Sequence, residues 1–597
     1  MEFSQYVIDE ITKASQYEWH RNYDASRSLK NAAEKAIDTQ DTRILNVLSG
    51  VLSMSYVHSE HTFCPYVVLA DGHRSFAIED IASDDFEILE SVINMMQSSW
   101  ICAHFAHVLW CLSKNNKYAE IAVPVYVGLF TQTLDPSEWV DCYDAIRVAE
   151  AIASKLGKFS DPYKKVYDTI KQALISIDGS DPLYLSLNLI KLIIKNASKQ
   201  DLNSILTIAN KLADKNIRQE NEDFELAAES LAVQILVWNR LGMESEIKAG
   251  KAKLAEYYAK YAERLSASGD DFRAIELLKR ACTLYAGIDQ RRLFELRNRL
   301  EGLQKRSLLK MQTISVPVDT SGIIKRVDQL FSGLTMQEMI LQIGRIVRIY
   351  KAEDVKKEVL EENGKSLLQS LFGSTLLNEK GQTVQELPPL DRKDPESDQE
   401  LLFKHMVNRV SRERNYDEAV VLDIVFRQVQ SIRTCTRDDL DFLVNENVII
   451  PENRAETIKE GLFLGLTVSP YVAAHILLPQ TENIFRNLVK MCGDPVTFLK
   501  TDGTEDIKPL SQLFKSEALR DCYSEDVIFT FQSIMDVPAG ENLRNLIAHG
   551  QLELSIASER KCLHFLCLLI KLLSWYSVAS QPILESLRER DEKCVSR

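Results

Sequence analysis

Along most of the chain apolar residues recur at three- and four-residue spacing, which is the period of a helix with one buried face. The stretches "DPLYLSLNLIKLIIKNA" (181–197) and "FELAAESLAVQILVWNRL" (224–241) show it plainly. Glycine and proline, the residues that most often interrupt helices, number only 22 and 16 in 597 residues. The pattern therefore predicts an all-α fold. Near residue 280, "RAIELLKRACTLYAGIDQRRLFELRNRLEGLQKR" reads as a helical hairpin of tetratricopeptide type, with Ala274, Leu278, Ala281 and Tyr285 as its packing positions. No fixed period recurs elsewhere, so residues 1–310 are expected to form a helical, repeat-like region, with an irregular bundle as the alternative.

Two interruptions suggest boundaries. "MQTISVPVDTSG" (311–322) loses the helical period and carries Pro317. "NEKGQTVQELPPLDRKDPESD" (378–398) places a turn at Gly381 and then prolines that oppose helix. Residues 311–398 are accordingly expected to be a linker with a small helical connector. Helices are expected to resume over 399–597, a domain of about 200 residues.

Composition narrows the function. A formal net charge of −15 argues against a general nucleic-acid coat, whose affinity comes from lysine and arginine neutralising phosphates. A local basic pocket remains compatible with it. The eleven cysteines include no CxxC pair, and no signal-peptide pattern opens the sequence, so a cytoplasmic location is expected. The longest apolar run, "CLHFLCLLIKLLSWYSVA" (562–579), is interrupted by His564 and Lys571 and reads as a buried helix rather than a membrane span.

One segment carries a chemical pattern. In "GENLRNLIAHGQLE" (540–553), Gly540 and Gly550 bracket about two and a half helical turns containing Arg544, Asn545 and His549. Gly550 suits a helix C-cap, which puts His549 in the last turn. At about 100° per residue, Arg544 and His549 lie about 140° apart on a regular helix, whereas Asn545 and His549 share a face. Arginine and histidine reach one small group only if the helix is distorted or a second copy of the chain completes the site. Of the five Arg-Asn dipeptides, at Arg21, Arg297, Arg414, Arg486 and Arg544, only the last has histidine five positions after its arginine.

"LRNLIAHG", together with "HILLPQTENIFRNLVKMCG" upstream and the intervening "DGT", resembles the C-terminal part of the HEPN superfamily (higher eukaryotes and prokaryotes nucleotide-binding). Within it the closest likeness is to a bacterial family of unknown function with NLRNxxAHG near its end. The resemblance covers about 475–590 and extends more weakly towards 311; the N-terminal half shares only helical character. It implies a small helical bundle that pairs about a two-fold axis, and an arginine, a polar residue and a histidine that cut RNA without metal. The matching positions are Arg544, Asn545 and His549. Dimerisation would resolve the angular difficulty, because a two-fold interface doubles every group. Glu482 and Arg486, at i and i+4, match the acid and arginine that the family pattern places on the upstream helix; their plain alternative is a surface ion pair.

Other chemistries find little support. "HSEHTFC" (His58, His61, Cys64) and "HFAH" (His104, His107) lack complete four-ligand zinc spacing, and the second pair lies on an apolar helix where core histidines are common. Walker, GxGxxG and GxSxG motifs are absent. No metal and no cofactor are expected. The sequence thus points to a homodimeric, metal-independent endoribonuclease of HEPN type with RNA as its substrate, possibly serving phage defence or acting as a toxin. In that reading the N-terminal helices meet a protein partner or trigger. The alternative is a non-catalytic interaction scaffold whose HEPN-like domain only dimerises.

Overall fold

The computed structural model describes residues 2–68, 73–218, 223–311, 319–365, 372–391 and 394–595. The fold is all-α, and its described strands form three two-stranded antiparallel hairpins. The chain divides into two compact units, Met1–Lys310 and Met311–Arg597. Residues 312–318, inside the boundary expected at 311–322, lie outside the described residues.

In the first unit, helices pack mainly on their neighbours in sequence, so local amphipathicity suffices to build it. Side-chain caps begin many of these helices: Asp38, Ser99, Asn115, Ser160, Asp223 and Asp270 each accept a backbone N–H of the first turn. The hairpin near residue 280 consists of helices Asp271–Tyr285 and Gln290–Lys310, with Ala274, Leu278, Ala281 and Tyr285 all buried. Helix Trp100–Ser113 is buried on every face from Trp100 to Cys111, and it carries His104 and His107. Hairpin Ser55–Val57/Thr62–Cys64 packs beside it, with Phe63 between both histidine rings.

The second unit is organised around helix Ile556–Tyr576, whose apolar run is the expected buried helix. Helices Met336–Ile346, Ala419–Ile432, Ala455–Thr467 and Pro470–Met491 pack on it. The interrupting Lys571 sends its ammonium to the end of helix Met336–Ile346, where it donates to the Val347 carbonyl at 2.7 Å and the Gly344 carbonyl at 3.3 Å. Cations are favoured there because the last carbonyls of a helix lack intrahelical partners. Among the described residues no helix is long and apolar enough to cross a membrane.

Two expectations from the sequence are modified here. Residues 321–346, read as part of a connector, supply Val327, Phe331, Met339 and Ile340 to the same core as the helices after 399. That segment belongs to the second unit, because its apolar stripe has a partner face there. The stretch after 399 is also not wholly helical, since Thr497–Leu499 pairs with Glu505–Ile507. The turn "KTDGT" explains it: Gly503 adopts φ +85°, and Asp502 accepts from the Thr504 N–H at 3.0 Å. Gly381 lies in the turn of hairpin Ser374–Leu377/Thr383–Leu387, as its sequence context suggested.

Candidate functional site

The helix carrying the arginine and the asparagine is shorter than the two glycines suggested. It runs over Leu543–Ala548 and is preceded by Asn542 in the left-handed conformation, φ 52°. Gly540 does not begin it. A Cβ at Gly540 would lie 2.0 Å from the Ser533 carbonyl oxygen, so this position holds the chain in a tight turn against helix Glu525–Met535. Gly540→Ala is expected to cost about 1–3 kcal/mol through this overlap, measured as a lowered denaturation midpoint.

The other end follows the sequence expectation. His549 is the C-cap, and Gly550 takes φ +64°. The Gly550 N–H donates to the Ile547 carbonyl at 3.0 Å and the Gln551 N–H to the Leu546 carbonyl at 2.7 Å. These two bonds are the Schellman arrangement that ends a helix with glycine.

A buried ion pair fastens the segment to its unit. Glu541 is 4% exposed and accepts from Arg414 Nε at 3.1 Å, from Arg414 Nη2 at 2.5 Å and from Ser411 Oγ at 3.0 Å. Arg414, 2% exposed, spends its remaining Nη1 on Ser533 Oγ at 2.9 Å. Arg414 opens a π-helical turn, Arg414–Glu418, set between helices Gln399–Glu413 and Ala419–Ile432. The extra residue in such a turn re-aims side chains. No local pattern in the sequence signalled Arg414 or Glu541, which stand 127 positions apart.

Arg544 turns towards helix Pro470–Met491. Its Nε donates to Glu482 Oε2 at 2.9 Å and its Nη1 to Asn545 Oδ1 at 3.0 Å. Asn545 Nδ2 donates to Asn542 Oδ1 at 2.7 Å and reaches the Asp536 carbonyl at 3.5 Å. Glu482 Oε1 accepts from Arg486 Nη2 at 2.8 Å, and Arg486 Nη1 donates to Asn483 Oδ1 at 2.6 Å. Two guanidinium groups therefore share one carboxylate, and Glu482, Arg486, Arg544 and Asn545 form one network. Burial raises the Asp536 carboxyl above its usual range, while Arg544 and Asn545 pull the other way. Asn542 and Asp536 belong to this network although sequence reading did not select them; Asn542 alone had a visible cue, since asparagine tolerates the left-handed region.

His549 stands apart from that network. It is exposed, and among the described residues its imidazole has no hydrogen-bond partner. The helix is regular up to Ala548, so the angular separation expected from the spacing persists: the guanidinium is held against helix Pro470–Met491 while the imidazole is open to solvent. Arg544 keeps 30% of its side chain exposed, against 14% for Glu482. Within one chain, the site offers a fixed guanidinium–amide platform and a separate, accessible imidazole.

The zinc-like clusters are aromatic packing. His104 Nε2 lies 3.1 Å from the Val51 carbonyl, and His107 packs against Tyr56 and Phe63 at ring-centroid distances of 4.4 and 4.8 Å. Burial pushes the His104 imidazole down to about 4 and His107 well below the usual histidine range.

Comparison with known proteins places one part of the chain. A family model for a domain of unknown function, DUF7380, matches residues 2–164, which lie within the first unit. No curated protein and no solved structure matches the chain.

Proposed function

We propose that the second unit is a metal-independent endoribonuclease of HEPN type that acts as a homodimer. The observation that carries this reading is the division of labour in the motif: Arg544 and Asn545 are fixed in a hydrogen-bonded platform, while His549, on the same short helix, is exposed. A base removes the proton of an RNA 2′-hydroxyl, the freed oxygen attacks the adjacent phosphorus, and the 5′-oxygen leaves with a proton from an acid. His549 takes one of these proton-transfer roles and the second copy's His549 takes the other. Arg544 binds the phosphate as a permanently charged fork and stabilises its developing charge. Asn545 orients the guanidinium through its amide oxygen, and Glu482 with Arg486 supports that orientation from the neighbouring helix. The products are a 2′,3′-cyclic phosphate and a 5′-hydroxyl.

The first unit serves in this proposal to receive a trigger or protein partner and to restrain the nuclease. A cytoplasmic role in phage defence, or as a toxin, follows by analogy with the superfamily.

The test is cleavage of labelled RNA by the full chain in chelator. His549→Ala is expected to lower the rate at least a hundredfold, the scale of a lost proton-transfer group, with oligomeric state and melting temperature unchanged. Arg544→Ala should abolish cleavage in parallel. Retention of activity by folded His549→Ala would overturn the reading and favour a scaffold whose second unit only dimerises.

A further inference from the structure

An open cleft of about 240 Å³ lies in the first unit, remote in sequence from the motif just described. Trp19, Tyr56, Trp100 and Tyr126 supply aromatic walls, and His107 and Asp144 supply polar groups. The Trp19 and Tyr126 rings meet edge to face at 6.4 Å, and Trp100 is fixed by its indole N–H, which donates to the Ser15 carbonyl at 3.1 Å. These anchors make the walls pre-formed, as small-ligand sites usually are.

The polar groups of the cleft are incompletely paired. His107 is fully buried, and neither ring nitrogen has a hydrogen-bond partner; the Trp19 indole nitrogen is likewise buried without one. Buried polar atoms are nearly always satisfied, so three orphans around one cleft call for an explanation. Asp144 pairs with Arg147 Nη2 at 2.9 Å, yet burial still holds its carboxyl above the usual range. At the mouth, His20 stands 3.3 Å from both Glu18 and Asp141, adding two carboxylates to the same side.

The lining contains no lysine or arginine, so nothing there would hold an anion. An uncharged apolar guest would leave Asp144 and the imidazole lone pair of His107 unanswered. Electron-rich ring faces beside a carboxylate attract a cation whose charge is spread over an apolar body. The neutral imidazole presents no opposing charge. The volume suits a small head group rather than a drug-sized molecule.

We infer that this cleft binds a methylated ammonium group, with Trp19, Tyr56, Trp100 and Tyr126 as its cage and Asp144 as its counter-charge. No bond is made or broken; the site recognises such a group on a small molecule or at the end of a longer one.

Calorimetric titration of the full chain with choline, tetramethylammonium and dimethylbutanol, the uncharged carbon isostere of choline, tests the inference. Saturable binding of both cations, with the isostere at least tenfold weaker, is expected. Asp144→Asn and Trp19→Leu should each weaken choline binding by about three- to thirtyfold, the range of one cation–aromatic or charge contact. Equal affinity for choline and its isostere, or no saturable heat with either cation, would overturn it. That comparison uses the unmodified chain, so it stands even if a variant fails to fold.

Discussion

Lowering the pH from 6.5 towards 4 is expected to unfold the first unit steeply. His104 and His107 are buried and neutral, with imidazoles held at about 4 and well below the usual range respectively, mainly by burial. The unfolded chain protonates each near 6.5. Below that pH the unfolded state therefore binds protons that the folded state refuses. The stability is fully present above about 6.5 and is lost as the pH falls towards the folded values. Each such histidine costs about 1.4 kcal/mol per pH unit, so the pair costs about 2.7 kcal/mol per unit until His104 itself protonates in the fold. The half-buried His58, also lowered to about 4, adds to the same slope.

The second unit should respond less. Its buried His564 has the same sign, lowered by burial and by Arg414. Glu418, however, lies 3.4 Å away with its carboxyl raised by burial, so acid favours the folded state through that group and offsets part of the loss. Thermal melts by circular dichroism across this pH range, with hydrogen exchange assigning protection to each unit, provide the check. His107→Phe keeps an aromatic ring among Tyr56, Phe63 and Tyr126 and should flatten the first unit's acid slope by about one proton. An unchanged slope in that variant would show that the buried imidazole does not drive the transition.

Removing either partner of the Arg414–Glu541 pair is the second large effect. Both side chains are 2% exposed, and Glu541 is the hydrogen-bonding partner of two guanidinium nitrogens. Glu541→Ala would leave a buried guanidinium whose charge has lost its counter-charge, a change expected to cost about 3–5 kcal/mol. Arg414→Met should cost a similar amount by stranding the carboxylate. The double substitution with Glu541→Leu replaces both charges by apolar groups and should recover much of the loss, since desolvating an ion pair offsets much of its attraction. Denaturant midpoints for the four proteins of this cycle measure the coupling. A loss below 1 kcal/mol for either single substitution would mean that the pair is not what fastens residues 540–550. If it is, the single variants should also lose hydrogen-exchange protection first in helix Leu543–Ala548.

The acid-sensitive histidines were legible as core residues because "HFAH" sits within an apolar helix, whereas their lack of partners was not. Which carbonyl or ring lies opposite depends on other helices: His104 meets Val51, 53 positions earlier. The same contrast holds at the motif. The C-cap at Gly550 was legible, since a glycine after a helical stretch needs only its own backbone to end it. The start of the helix was misplaced, because the Ser533 carbonyl that confines Gly540 comes from a different helix. Glu482 could be paired with Arg486 from their i, i+4 spacing, but its second bond, to Arg544, spans 62 positions.

Helical class, capping and the separation of arginine from histidine around the helix axis were encoded locally, in hydrogen bonds and side-chain periods that close within a few residues. The Arg414–Glu541 anchor, the Glu482-centred network and the aromatic cleft arise where distant helices pack. Ion pairs and cavities of that kind depend on which faces meet, and apolar periodicity says that a face must be buried without naming its partner.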